Sequence, residues 1–215
     1  MRAPLLALLA LFSLSGCQSA YYATMEKVGI HKRDILADRV EAAGEAQQDA
    51  QKQFKDALEH FRAVVKVEGS EDLEKRYDEL SSQYEDSEKA AKEVSDRIDA
   101  VQDVAEALFE EWQGELDQYS SPSLRAASAH TLADTKRRYQ SLLKAMRKAE
   151  AKMPPVLAKF HDQVLFLKHN LNARAIGSLK GELGSIEKQV DSLIKEMQRA
   201  VNESERFIQN LNQQG

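Results

Sequence analysis

Apolar residues recur along this chain at alternating spacings of four and three. The first run passes through Leu36, Val40, Ala43, Gln47, Ala50, Phe54, Ala57, Phe61 and Val64. A second goes from Leu73 through Tyr77, Leu80, Tyr84, Ser87, Val94 and Ile98 to Trp112. A third goes from Ser128 through Tyr139 and Met146 to Met153, and a fourth from Ile176 through Ile186 and Leu193 to Ala200. A repeat averaging 3.5 residues with charged flanks predicts helices that wind around one another.

Three breaks divide the pattern. Gly69 is suited to end a helix and Ser70 to cap the next, with Glu71 and Asp72 at the positive end of its dipole. Ser121 can cap a helix that has Pro122 in its first position. Met153-Pro154-Pro155 is the third, because a residue before proline resists helical geometry. The predicted helices are 22–67, 71–118, 122–152 and 155–212, which makes the fold all-α: an elongated antiparallel coiled-coil bundle of about four long helices. Folding the first pair about Gly69 sets Phe61 near Tyr77, Phe54 near Tyr84 and Ala50 opposite Ser87, so large and small layers alternate. Phe54, Phe61, Tyr77, Tyr84 and Trp112 are expected in the core. Gln47 interrupts the seam and is expected at a half-exposed position, the alternative being a polar residue that sets the register. A straight fourth helix would be ~87 Å long against ~45 Å for the third. Either it bends, around residues 169–184, or the rod does not stand upright. Gly177, Gly181 and Gly184 share one face there and are expected to form a close-packing groove.

The N-terminal 16 residues follow another rule. Arg2 is followed by an apolar stretch from Leu5 to Leu14, about 10 residues, which suits a secretion signal and is too short to span a bilayer as a helix. It ends in Leu14-Ser15-Gly16-Cys17, which resembles a bacterial lipobox. That resemblance implies cleavage before Cys17, the only cysteine, and its acylation. Each buried methylene contributes ~0.8 kcal/mol, so several acyl chains would hold firmly. Residues 1–16 are read as the signal peptide, 17–21 as the lipidated tether and 22–215 as one helical domain. Gln18 stands where an Asp would resemble an inner-membrane retention signal. The expected location is therefore the periplasmic face of the outer membrane, the inner membrane being the weaker alternative.

Composition agrees with long helices: 30% charged, 7% aromatic, and nine Gly and four Pro in 215 residues. The net charge of −5, near −6 once Arg2 is removed, gives no broad attraction to nucleic acid or anionic lipid. No phosphate-binding G-x-x-x-x-G-K-[ST], no G-x-S-x-G and no H-E-x-x-H occurs. Of the five histidines, none pairs at i, i+4, and His161 and His169 lie ~12 Å apart along a helix. We therefore expect no catalytic residues, no metal and no cofactor; an enzyme acting on envelope polymers would need a polar pocket that a thin bundle rarely offers. Two surfaces are candidates for contact. Lys27, His31, Lys32 and Arg33 form a basic group soon after the anchor, placed to meet headgroups or a membrane-proximal partner. In residues 159–171, Phe160, Val164, Leu167 and Leu171 form one stripe expected in the core, and Leu165 and Phe166 widen it into a candidate partner surface.

The stretches YYATMEKVGIHKRDILADRVEAAGEAQ, QKQFKDALEHF and FHDQVLFLKHNLNARAIGSLKGEL resemble a family of Gram-negative envelope lipoproteins known only as a domain of unknown function. The resemblance covers about residues 17–212 and implies a coiled-coil lipoprotein with no assigned activity. The expected role is a structural scaffold or adaptor of the cell envelope, held to the membrane by its lipid and bound to a protein partner. The alternative is a lipid-binding or membrane-remodelling protein with residues 25–40 and 159–171 on the bilayer. Homo-oligomerisation through leftover seam surface is compatible with either.

Overall fold

The computed structural model describes residue 25 and residues 31–66, 73–171 and 173–213. Among them are five α-helices: α1 (Lys32–Val65), α2 (Leu73–Glu115), α3 (Pro122–Glu150), α4 (Met153–His169) and α5 (Ala173–Gln213), with a 3₁₀ turn at Leu116–Gln118 after α2. The predicted break at Glu68-Gly69-Ser70 lies outside the described residues.

The helices make four antiparallel arms, because α3 and α4 form one. At their junction Ala151 (φ −61°, ψ −15°) and Lys152 (φ −85°, ψ −18°) keep near-helical backbone, and Pro154 and Pro155 fall in the first turn of α4. A proline there forfeits no helical hydrogen bond, since the first N–H groups of a helix lack partners anyway. The proline pair interrupts the arm without reversing it.

The reversal comes later. Asn170 (φ −136°, ψ 56°) leaves helical geometry, its N–H bonded to the Leu167 carbonyl at 3.1 Å, and its side chain donates to the Phe166 carbonyl at 2.9 Å. The single helix expected over 155–212 is thus two helices, divided at 170–172, and α5 runs unbroken through the glycines. This removes the length mismatch: residues 122–169 and 173–213 are arms of ~72 and ~62 Å. Gly177, Gly181 and Gly184 form no packing groove. A Cβ built on any of them meets nothing within 4 Å, because this face of α5 points away from the core.

Cross-arm contacts fix the register. From α1 to α2, Lys32 reaches Glu111 (2.9 Å), Gln53 meets Gln83 (3.0 Å) and Arg76 meets the Ala63 carbonyl (3.3 Å), so Phe61 lies level with Tyr77 as the heptads predict. From α1 to α5, Arg62 pairs with Glu187 (2.7 Å), Gln51 Nε2 donates to the Ile194 carbonyl (3.1 Å), and Gly44 faces Ser204, whose Cβ would lie 3.5 Å from a Cβ placed on the glycine. From the third arm, Arg147 reaches Asp99 on α2 (2.5 Å), while Lys148 and Lys159 reach Glu196 (3.1 Å) and Glu182 (3.2 Å) on α5. α1 and the α3–α4 arm therefore sit on opposite corners, each packed between α2 and α5.

One core runs the length of the bundle. Leu36, Phe54, Phe61, Leu80, Ile98, Leu142, Phe160 and Ile186 are all essentially fully buried, each worth ~1.5–3 kcal/mol in apolar burial. Tyr77, Tyr84 and Trp112 pack partly buried against it, the indole donating to Ser128 Oγ at 2.8 Å. Phe109, Tyr139 and Phe207 meet edge to face, at 5.3 and 6.5 Å between ring centres. Gln47 corrects the half-exposed expectation. It is 0% exposed, because α1 buries against α2 and α5 together, and neither atom of its amide has a partner in the protein.

Candidate functional surfaces

The basic group near the start of α1 is only partly available. Cys17 and Lys27 lie outside the described residues. His31 begins α1: its carbonyl accepts from Asp34 and Ile35, and its N–H donates to the Asp34 carboxylate at 3.4 Å. Lys32 turns across the bundle to Glu111 and is 11% exposed. Arg33 lines an open cleft of about 240 Å³ with Leu108, Glu111, Trp112, Thr131 and Leu211. Lys32 is thus not part of a free cationic patch but ties α1 to the acidic end of α2.

The stripe on α4 divides differently from its expectation. Phe160, Val164 and Leu167 are buried, but Leu171 is 43% exposed because the chain has already left the helix. Leu165 (48%) and Phe166 (38%) stand on the outside. The start of α1 and the end of α4 lie at opposite ends of the rod, separated by about the ~51 Å length of α1. An upright bundle therefore cannot lay both on one bilayer.

A second cleft, about 340 Å³, opens between α1 and α2 and is lined by Gln53, Asp56, Glu59, His60, Ala63 and Gln83. It is shallow and open to solvent, and among the described residues no three His, Cys, Asp or Glu side chains are grouped so as to hold a metal ion. Two phenols are perturbed. Burial, with the Glu88 carboxylate that accepts the Tyr84 hydroxyl at 2.5 Å, pushes Tyr84 up to about 12. Burial, with Glu106 nearby, does the same for Tyr139, whose hydroxyl has no partner in the protein. Both stay protonated at neutral pH and supply no nucleophile.

Charge is divided by arm. α2 carries fourteen carboxylates against five lysines and arginines, whereas the α3–α4 arm carries ten cations against three carboxylates. α1 and α5 are nearly balanced. The two unbalanced arms are neighbours, joined by Arg147 to Asp99 and by Ser95 to Glu150 at 2.6 Å. Total charge and single motifs conceal this. The signal that finds it is a local count: from 135 to 181 the only acidic residues are Glu150 and Asp162. The exposed large hydrophobic residues among those described follow the same arm: Tyr119 and Leu124 at its start, Leu165, Phe166 and Leu171 at its end.

No helix among the described residues is long and apolar enough to cross a membrane. No curated relative and no solved structure matches the chain. One family model does, over residues 21–211, which include four of the helices described above and all but the last two residues of α5, and the chain belongs to that family, "Protein of unknown function (DUF2959)".

Proposed function

We propose that the protein is a scaffold or adaptor of the cell envelope, held at the periplasmic face of the outer membrane by lipid on Cys17, with no catalytic activity of its own. The observation that carries this reading is the continuous core through four antiparallel arms. Its large side chains are spent on packing arm against arm, and the clefts between arms are shallow and solvent-open. Such a bundle resists bending and offers long faces to partners. The leader motif Leu14-Ser15-Gly16-Cys17 supplies the anchor in this reading, and residues 17–21 the tether.

The test is mass spectrometry of what stays with the lipidated protein when membranes are captured in detergent-free polymer discs, beside a Cys17→Ala control. Enriched envelope proteins that vanish in the control are the expected result. One enriched lipid class with no protein would overturn the scaffold role. It would favour the second reading, a lipid-binding protein, which draws its support from the cations and exposed apolar residues of the third arm.

A further inference from the structure

The α3–α4 arm is where unpartnered positive charge and exposed apolar side chains coincide. Arg137, Lys144 and Lys148, seven and four residues apart, share one outward face of α3, with Arg138 beside them. Arg137 pairs with Asp134, Arg147 with Asp99 and Glu150, Lys148 with Glu196, and Lys159 with Glu182. Among the described residues, Arg138, Lys144, Lys152 and Lys168 have no such ion pair; three of them are exposed and Lys152 is half-buried. From Arg137 to Lys168 the cations extend over ~46 Å, and Asp162 is the one carboxylate exposed on α4. Toward the end of that row stand Leu165 and Phe166, about half and two-fifths exposed.

We propose that the outer side of the α3–α4 arm docks on an anionic phospholipid bilayer, its free cations over the headgroups and Leu165 and Phe166 in the interfacial layer. Charge complementarity and the apolar residues together choose this occupant. An acidic surface could satisfy the cations, and the nearest one is α2 of a second copy. Yet α2 exposes no large hydrophobic residue among those described, so it has nothing to cover Leu165 and Phe166. A bilayer interface meets both needs: phosphates for the cations and a boundary in which leucine and phenylalanine are buried. The ~46 Å row also suits an extended sheet of charge better than a small ligand. Docked this way, the bundle lies along the membrane instead of standing on it. The inference deepens the lipid-binding reading and does not depend on Cys17.

The test uses the chain from Gln18 onward, which keeps all five helices and lacks the anchor, so its result is separable from the scaffold reading. Co-sedimentation is measured with vesicles of phosphatidylcholine alone or mixed with phosphatidylglycerol, at low and high salt. Binding is expected only to the mixed vesicles and should weaken with salt. Each cation near an anionic leaflet strengthens binding about fivefold, so Arg138→Ala/Lys144→Ala/Lys152→Ala should weaken it on the order of 100-fold. Leu165→Ser/Phe166→Ser should weaken it at both salt concentrations, while Lys89→Ala/Lys92→Ala on α2 should leave it unchanged. Circular dichroism checks that each variant is folded, and a glutamine triple replaces the alanine triple if that loses helix. Equal binding to both vesicle types, undiminished binding by the triple variant, or an equal loss in the α2 control overturns the proposal. So does a salt-sensitive dimer in light scattering that the triple variant abolishes, which would assign the arm to a second copy.

Discussion

Replacing Gln47 by methionine should stabilise the protein. The residue is fully buried in α1, and both its amide nitrogen and its amide oxygen lack a partner. A buried polar group without a hydrogen bond costs about 1–3 kcal/mol, and here there are two. Methionine has a similar unbranched length and adapts its shape to irregular spaces, so the change removes the polar penalty without opening a large void. Allowing for imperfect repacking, the expected gain is about 2 kcal/mol, or ~4–8 °C in Tm for a chain of this size. Gln47→Ala separates the two effects, because it removes the same amide but leaves a cavity, and should lie well below the methionine variant. The assay is urea unfolding of the chain from Gln18 onward, followed by circular dichroism. The methionine variant should raise the midpoint at an unchanged slope. A midpoint equal to or below that of the parent would refute the reasoning. It would mean that the amide is satisfied, for instance by a buried water bonded to it.

Gly181→Ala fills open space on an exposed helix face and should add ~0.5–1 kcal/mol, read from the same urea curves. Stability should hold up to about pH 9.5 and then fall between pH 10 and 12, because the unfolded chain releases the Tyr139 proton near 10 while the folded one holds it to about 12. Tyr139→Phe should flatten part of that fall, and ultraviolet absorbance should show phenolate forming late in the folded parent. Lys32→Ala and Glu111→Ala, compared in a double-mutant cycle, should show a coupling of ~1 kcal/mol or less, since Glu111 is about one-third exposed.

The heptads specify the α1–α2 hairpin down to which residues face each other, since Phe61 and Tyr77, or Phe54 and Tyr84, can share layers in only one register. Ser121 and Pro122 likewise mark the start of α3 correctly, the serine hydroxyl accepting from the Leu124 N–H at 3.4 Å. The second half is harder to read because its strongest local signals mislead. Pro154 and Pro155 look like a reversal, yet proline is at home in the first turn of a helix. Gly177, Gly181 and Gly184 look like a hinge or a groove, yet they are solvent-facing positions in a continuous helix. The true reversal lies at Asn170, a residue type found in helix interiors as well as at their ends, so only the packing of the finished bundle singles it out. The burial of Gln47 was equally hidden, because its position on the seam is visible but the second neighbour of α1 is not. For the surfaces, Leu165 and Phe166 were legible as residues off the core stripe. The fate of Lys32 was not, because its partner Glu111 is 79 positions away.

The shared cleft of Arg33 and Leu211 has a use of another kind. It brings the beginning of α1 and the end of α5 to the same end of the rod, so a short linker could join them and the chain could be reopened between α4 and α5. Such a circular permutant keeps all four arms while moving its free ends to the far tip. A fusion partner or surface tether attached there would hold the same bundle upside down. That turns the orientation of the rod into something an experimenter can choose.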